Sequence, residues 1–178
     1  MDFELVLKSI VTRLNEENVN YAIIGGYAFG LLGISRNTFD LDLLVDKKDR
    51  ETLKRILSFY YYEIKYETEN IAQFVSILKD FGEIDVIYSF RKPSQEMLKR
   101  AKKIKILNNQ IETSVLCPED LIGLKLQAIK NDPERYERDI QDIKDLVFHY
   151  KTELDYNILK KYFDMLELTH LYDELIKE

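Results

Sequence analysis

Apolar residues recur through positions 2–17 at helical spacing: Phe3, Val6, Leu7, Ile10, Val11 and Leu14 line one side of a cylinder, which predicts an amphipathic helix. The rhythm then shortens. Tyr21-Ala22-Ile23-Ile24 is a continuous apolar run closed by Gly25-Gly26, the pattern of a buried strand, and residues 27–32 suit a short helix. Residues 41–45 predict a second strand, and 49–60 a helix with Leu53, Ile56 and Leu57 inward. Three strands follow at 62–66, 72–78 and 83–88, the last two joined by a turn at Lys79-Asp80-Phe81-Gly82. A helix is expected over 94–102, then a hairpin turning at Asn108-Asn109. From Pro118 onward the chain reads as helix, with Pro118 and Asp132-Pro133 at helix starts.

This order predicts an α+β protein: a mixed α/β domain over 1–115 and a helical region over 116–178, packed together without a flexible linker. Composition adds limits. Of 178 residues, 46% are hydrophobic, enough for a core, and 26 Lys and Arg against 32 Asp and Glu give a net charge of −6. That balance argues against nucleic-acid binding through a broad cationic surface. One cysteine, Cys117, allows no disulfide within the chain, and with His149 and His170 it is too few for a Cys/His zinc site. No basic-then-apolar leader and no run of about 20 apolar residues are present, so a cytoplasmic protein without membrane contact is expected.

The candidate chemistry lies between residues 24 and 45. In a strand, Asp40 and Asp42 share a face while Leu41 and Leu43 point to the core. Two close carboxylates repel unless a cation lies between them, and oxygen ligands of this kind suit Mg²⁺ with substrate phosphates. An isolated Asp-x-Asp is more often a solvated strand face. Gly25-Gly26 is either just a turn, the commoner case for such a pair alone, or a site where bare backbone N–H groups approach a phosphate. Arg36, four residues before Asp40, is either a surface or salt-bridge residue or a contact for triphosphate oxygens. In 81–87, Ile84 and Val86 face the core, so Asp85 and Glu83 face the other way; Asp85 is the better third acid, because Glu83 sits nearer the turn. Further on, Leu121, Ile122, Leu124, Leu126, Ala128 and Ile129 form an apolar arc with Lys125 near its middle. Asp139 lies inside the edge of a second arc made by Tyr136, Ile140, Ile143, Leu146, Val147 and Tyr150. Lys125 and Asp139 are therefore either a structural pair or two groups facing an active cleft.

Gly25-Gly26, Asp40-Leu41-Asp42 and Asp85, in this order, resemble the DNA polymerase β-type nucleotidyltransferase superfamily. Within it, Gly-Gly-Tyr-Ala followed by Arg36-x-Thr38-x-Asp40-x-Asp42 is most similar to the bacterial AbiEii-type group, which includes toxins of toxin–antitoxin systems. Pro118-Glu119-Asp120-Leu121 with Lys125, then Arg138-Asp139, resembles that group's late motifs. The resemblance implies a small mixed sheet flanked by helices with a C-terminal helical bundle. It implies transfer of NMP from an NTP to an acceptor hydroxyl with two Mg²⁺ ions. The metal ligands are then Asp40, Asp42 and Asp85, the nucleotide-binding residues Gly25, Gly26, Arg36 and Thr38, and Lys125 and Asp139 join the catalytic set. Tyr27 stands where a small Ser or Thr is common.

The acceptor stays open between three readings. Lys99-Arg100-Ala101-Lys102-Lys103-Ile104-Lys105 carries five positive charges in seven residues, either a solvated helix end or a landing strip for RNA such as a tRNA end. An RNA-modifying toxin would have an antitoxin partner. A small hydroxylated molecule, as in antibiotic nucleotidyltransferases, is the second reading, and a nucleotide-binding regulatory module without turnover the third. The run Tyr60-Tyr61-Tyr62, in a chain with 12 Tyr and no Trp, suits a helix-to-strand transition rather than a stacking platform.

Overall fold

The computed structural model describes residues 1–176. The chain divides into two compact units, Met1–Leu116 and a second beginning at Cys117. In the first unit, α1 (Phe3–Val6), a π-helical turn (Leu7–Val11) and α2 (Thr12–Glu16) run on from one another, and Asp2 caps the start by accepting from Leu5 N at 3.0 Å. All six apolar positions of the predicted helix except Phe3 are buried. After it come β1 (Tyr21–Ile24), α3 (Gly25–Leu31), β2 (Asp40–Asp46), α4 (Arg50–Phe59), β3 (Tyr62–Glu67), β4 (Ile71–Ser76), β5 (Glu83–Ser89), α5 (Lys92–Arg100), β6 (Lys102–Ile106) and β7 (Ile111–Val115).

The strands form one seven-stranded sheet in the order β3-β4-β5-β2-β1-β7-β6. β2 runs parallel to β5 and β1 parallel to β7, while the pairs β1–β2, β3–β4, β4–β5 and β6–β7 are antiparallel. The mixed α/β architecture expected from the residue pattern is thus the one found. Alternation sets the faces: Leu41, Leu43, Ile84 and Val86 are buried, and the acidic residues between them are only half-buried. Tight turns occur where small polar residues tolerate left-handed backbone; Asn108 (φ 55°) and Asn109 (φ 66°) make the expected β6–β7 hairpin.

Some boundaries differ from the sequence pattern. The helix expected over 94–102 ends at Arg100, because the Lys-rich segment that follows pairs with β7 as β6. Gly25 and Gly26 open helix α3, as their place after the strand suggests, and the helix ends at Leu31 rather than residue 32. Tyr62 is buried and donates to Phe81 O at 2.7 Å, whereas Tyr61 takes positive φ and is mostly exposed.

The second unit holds α6 (Pro118–Asn131), α7 (Tyr136–Tyr150), α8 (Tyr156–Met165) and α9 (Thr169–Ile176). Pro118 starts α6, and Asp155 caps α8 by accepting from Asn157 N and Ile158 N. Asp120, wholly buried, accepts from the Tyr162 hydroxyl at 2.6 Å and the Cys117 thiol at 3.1 Å, which ties α6 to α8. Burial and the Asp120 charge push the Cys117 thiol far above its usual range, so it stays protonated and unreactive. No helix among the described residues is long and apolar enough to cross a membrane.

Candidate active site

Strand register brings the sequence-separated acids together. Asp42 is paired with Asp85 across β2 and β5, and Asp40 with Glu83. Carboxylate oxygens of Asp40, Asp42 and Asp85 all lie within 4.8 Å of one another. Three carboxylates at that spacing repel, and the electrostatics record it: burial first, and then the Asp40 and Glu83 charges, raise the Asp85 pKa above its ordinary value of 3.8. Asp85 Oδ1 is buried and accepts no hydrogen bond. An orphaned oxygen in a cluster of like charge is what a hard divalent cation satisfies, so the residues present fit such an ion.

Gly25 lies against this cluster. Ile24 is paired with Asp42, and Gly25, the next residue, takes φ +62°, so a Cβ there would overlap the Asp42 carboxylate. Both the backbone conformation and the close approach require glycine at this position. Gly26 also packs tightly, on Thr38: a Cβ on it would meet Thr38 Cβ at 2.7 Å. Thr38 in turn donates to Asp40 Oδ1 at 2.8 Å, which fixes that carboxylate from the loop before β2. Gly26, Thr38 and Arg36 line one side of a cavity of about 500 Å³ that also touches Phe3, Tyr27 and Phe39. Tyr27 stacks on Phe3 with ring centroids 4.6 Å apart, and Arg36 lies over the Phe29 ring at 5.7 Å. All seven expected residues of the first unit therefore gather at one end of β1 and β2.

Changing Gly25 to Ala is expected to displace the Asp42 carboxylate and lower the Tm, because the added Cβ overlaps that group and the backbone is left-handed there. Thermal melts of the variant check it; a wild-type Tm in Gly25→Ala would refute the close-approach reading.

Lys125 and Asp139, the expected residues of the helical unit, are joined to each other. Lys125 Nζ lies 2.8 Å from Asp139 Oδ1 and 2.7 Å from Asp142 Oδ2, and both aspartates are fully buried. Arg135 Nε adds 2.9 Å to Asp139 Oδ2, closer than Arg138 at 3.7 Å. The Arg135 and Lys125 bonds hold the Asp139 carboxyl below its ordinary value despite burial. Asp142 and Arg135 were missed from the residue pattern, although Asp142 follows Asp139 at helical spacing and so shares its face. Tyr136, assigned to the buried arc, is 38% exposed. A third residue without a signal in the sequence is Gln73, opposite Asp85 on β4, whose Nε2 donates to Glu83 at 3.2 Å. Glu83 itself lies outside the carboxylate group.

Comparison with known proteins follows the same lines. A family model described as "Nucleotidyltransferase of unknown function (DUF6036)" matches residues 4–175. The fold is similar to that of ANT(2")-Ia in complex with adenylyl-2"-tobramycin, with TM-score 0.67 and 15% identity, over 93% of this chain and 97% of that one. An antigenic nucleotidyltransferase-like protein from Paracoccidioides brasiliensis gives TM-score 0.60 and 19% identity over 99% and 92%. The lincomycin-bound lincosamide antibiotic adenylyltransferase LnuA gives 0.54 and 14% over 67% and 83%. No curated protein matches the sequence.

Proposed function

The chain belongs to the DUF6036 nucleotidyltransferase family, and on that premise we propose that it transfers NMP from an NTP to an acceptor hydroxyl, with Asp40, Asp42 and Asp85 holding two Mg²⁺ ions. The convergence of those three carboxylates beside Gly25 is the observation that carries the reading. The ions, when bound, supply charge stabilisation to the attacking and leaving oxygens of an in-line displacement. The chain's own residues do the rest. Thr38 orients Asp40 through its hydrogen bond. The backbone N–H groups of Gly25 and Gly26, with Arg36, bind the leaving pyrophosphate, a task of fixed dipoles and charge aimed at developing negative charge. Asp85, the carboxylate on the neighbouring strand, takes the proton of the acceptor hydroxyl in this reading. Lys125 and Asp139 serve the stability of the helical unit in this reading.

A small hydroxylated acceptor is favoured by the likeness to ANT(2")-Ia and LnuA, whose structures hold tobramycin and lincomycin groups. The second reading, an RNA-modifying toxin of the AbiEii type with an antitoxin partner, draws on Lys99, Arg100, Lys102, Lys103 and Lys105. The test incubates the protein with Mg²⁺, each labelled NTP in turn, and either tobramycin, lincomycin or total cellular RNA. Label transferred to an acceptor supports the reading, and the labelled class separates its two forms. NTP binding with no product from any acceptor would support the regulatory module instead.

A further inference from the structure

In an in-line displacement the attacking oxygen enters on the side opposite the leaving pyrophosphate. On this sheet the line of entry runs across the strands. Gly25 at the end of β1 touches Asp42 on β2, Asp42 pairs with Asp85 on β5, and Asp85 pairs with Gln73 on β4. With pyrophosphate bound at Gly25 and Gly26, the acceptor comes in over β4. Gln73 is the first side chain there, held by its hydrogen bond to Glu83 so that its amide oxygen is left to accept from an incoming hydroxyl.

We propose that Gln73 and Glu83 are the acceptor-recognising pair of this enzyme and that they select a hydroxylated molecule bearing an amine. The inference rests on the nucleotidyl-transfer reading above. Its charge argument comes from the register. Asp40, Glu83, Val75 and Glu63 stand in one row across β2, β5, β4 and β3, so Glu83 is the carboxylate next to the metal-binding group on this side, with Glu63 two strands beyond it. Lys65, on the bulged segment of β3, is the cation that acts on Asp85 from this side. An ammonium group gains from Glu83, whereas a phosphodiester backbone is repelled by it.

The Lys-rich strand cannot reverse this preference. β6 lies three strands from β2, roughly 14 Å at the usual strand spacing, and on the pyrophosphate side. An RNA held there approaches the wrong face of the phosphorus.

The test titrates tobramycin, a polyol carrying several amines, and separately tRNA into the full chain with Mg²⁺ and a non-hydrolysable ATP analogue present. Calorimetry is expected to give tobramycin binding that Glu83→Gln and Gln73→Leu each weaken about tenfold, the usual loss for a hydrogen bond to a charged group. Each variant is also titrated with Mg²⁺ and the ATP analogue alone, because Gln73 and Glu83 both act on Asp85. Only a loss of tobramycin binding beyond any loss of the analogue supports the proposal. No binding of tobramycin, equal affinity in Glu83→Gln, or tighter binding of tRNA overturns the proposal. Failure of the wild type to bind the analogue with Mg²⁺ instead overturns the nucleotidyl-transfer reading, which keeps the two apart.

Discussion

Replacing Asp42 or Asp40 by Asn lowers NMP transfer by at least about 10³-fold, the scale at which loss of a charge-stabilising group acts. The change keeps the side chain's shape and removes one negative charge from a group of three carboxylates within 4.8 Å. Two effects of opposite sign follow, and that makes the result informative. Repulsion in the metal-free protein is relieved, so its Tm holds or rises. The affinity for divalent cations is expected to fall, so a rise in Tm with Mg²⁺ or Mn²⁺, expected of the wild type if the ions bind its folded state, should be absent from the variant. Thermal melts with and without metal, beside a labelled-NTP transfer assay, read both. Undiminished transfer by the Asp40→Asn, Asp42→Asn double variant would end the two-metal assignment.

The second large effect is on stability. Lys125→Met is expected to destabilise the helical unit by about 3–5 kcal/mol, because it removes the cation that touches both Asp139 and Asp142 at zero exposure. Against the 5–15 kcal/mol typical of a folded domain, that is a large share. The pH dependence has a definite sign. Asp139 is held below its ordinary 3.8 in the folded state, so its contribution is in full force above that pH and is lost as pH falls through the lower folded value. Removing Lys125 raises the folded value and moves the acid limb of unfolding to higher pH. Urea unfolding followed by circular dichroism across pH 3–7 measures both; a Lys125→Met chain as stable as wild type at pH 7 would show that the cluster contributes nothing.

The parts of the site that the residue pattern revealed share one property: they depend on local geometry. Asp40 and Asp42 fall on one strand face by the two-residue period, and Asp85 does so relative to Ile84 and Val86. Gly25-Gly26 is legible as the break that closes a buried strand, and its closeness to Asp42 and Thr38 shows only in the structure. What escaped depends on register between distant segments. Gln73 carries no charge and no motif, and it matters only because β4 sets it against Asp85. The π-helical turn at Leu7–Val11 escaped for another reason: the buried positions of a short amphipathic segment fit both helix types. Asp142 was accessible to reasoning, as it lies one turn from Asp139, but a carboxylate on a charged helix reads as solvated until its lysine is known.

The two rims of the sheet end differently, and each ending blocks the same hazard. At β6 the outer backbone is unpaired, and Lys102, Lys103 and Lys105 stand exposed along it; at β3 the register slips between Ile64 and Tyr66. A flat, uncharged rim would accept a strand from another molecule and start a fibril. Here a row of ammonium groups at one rim and a bulge at the other each disfavour the addition of a further strand.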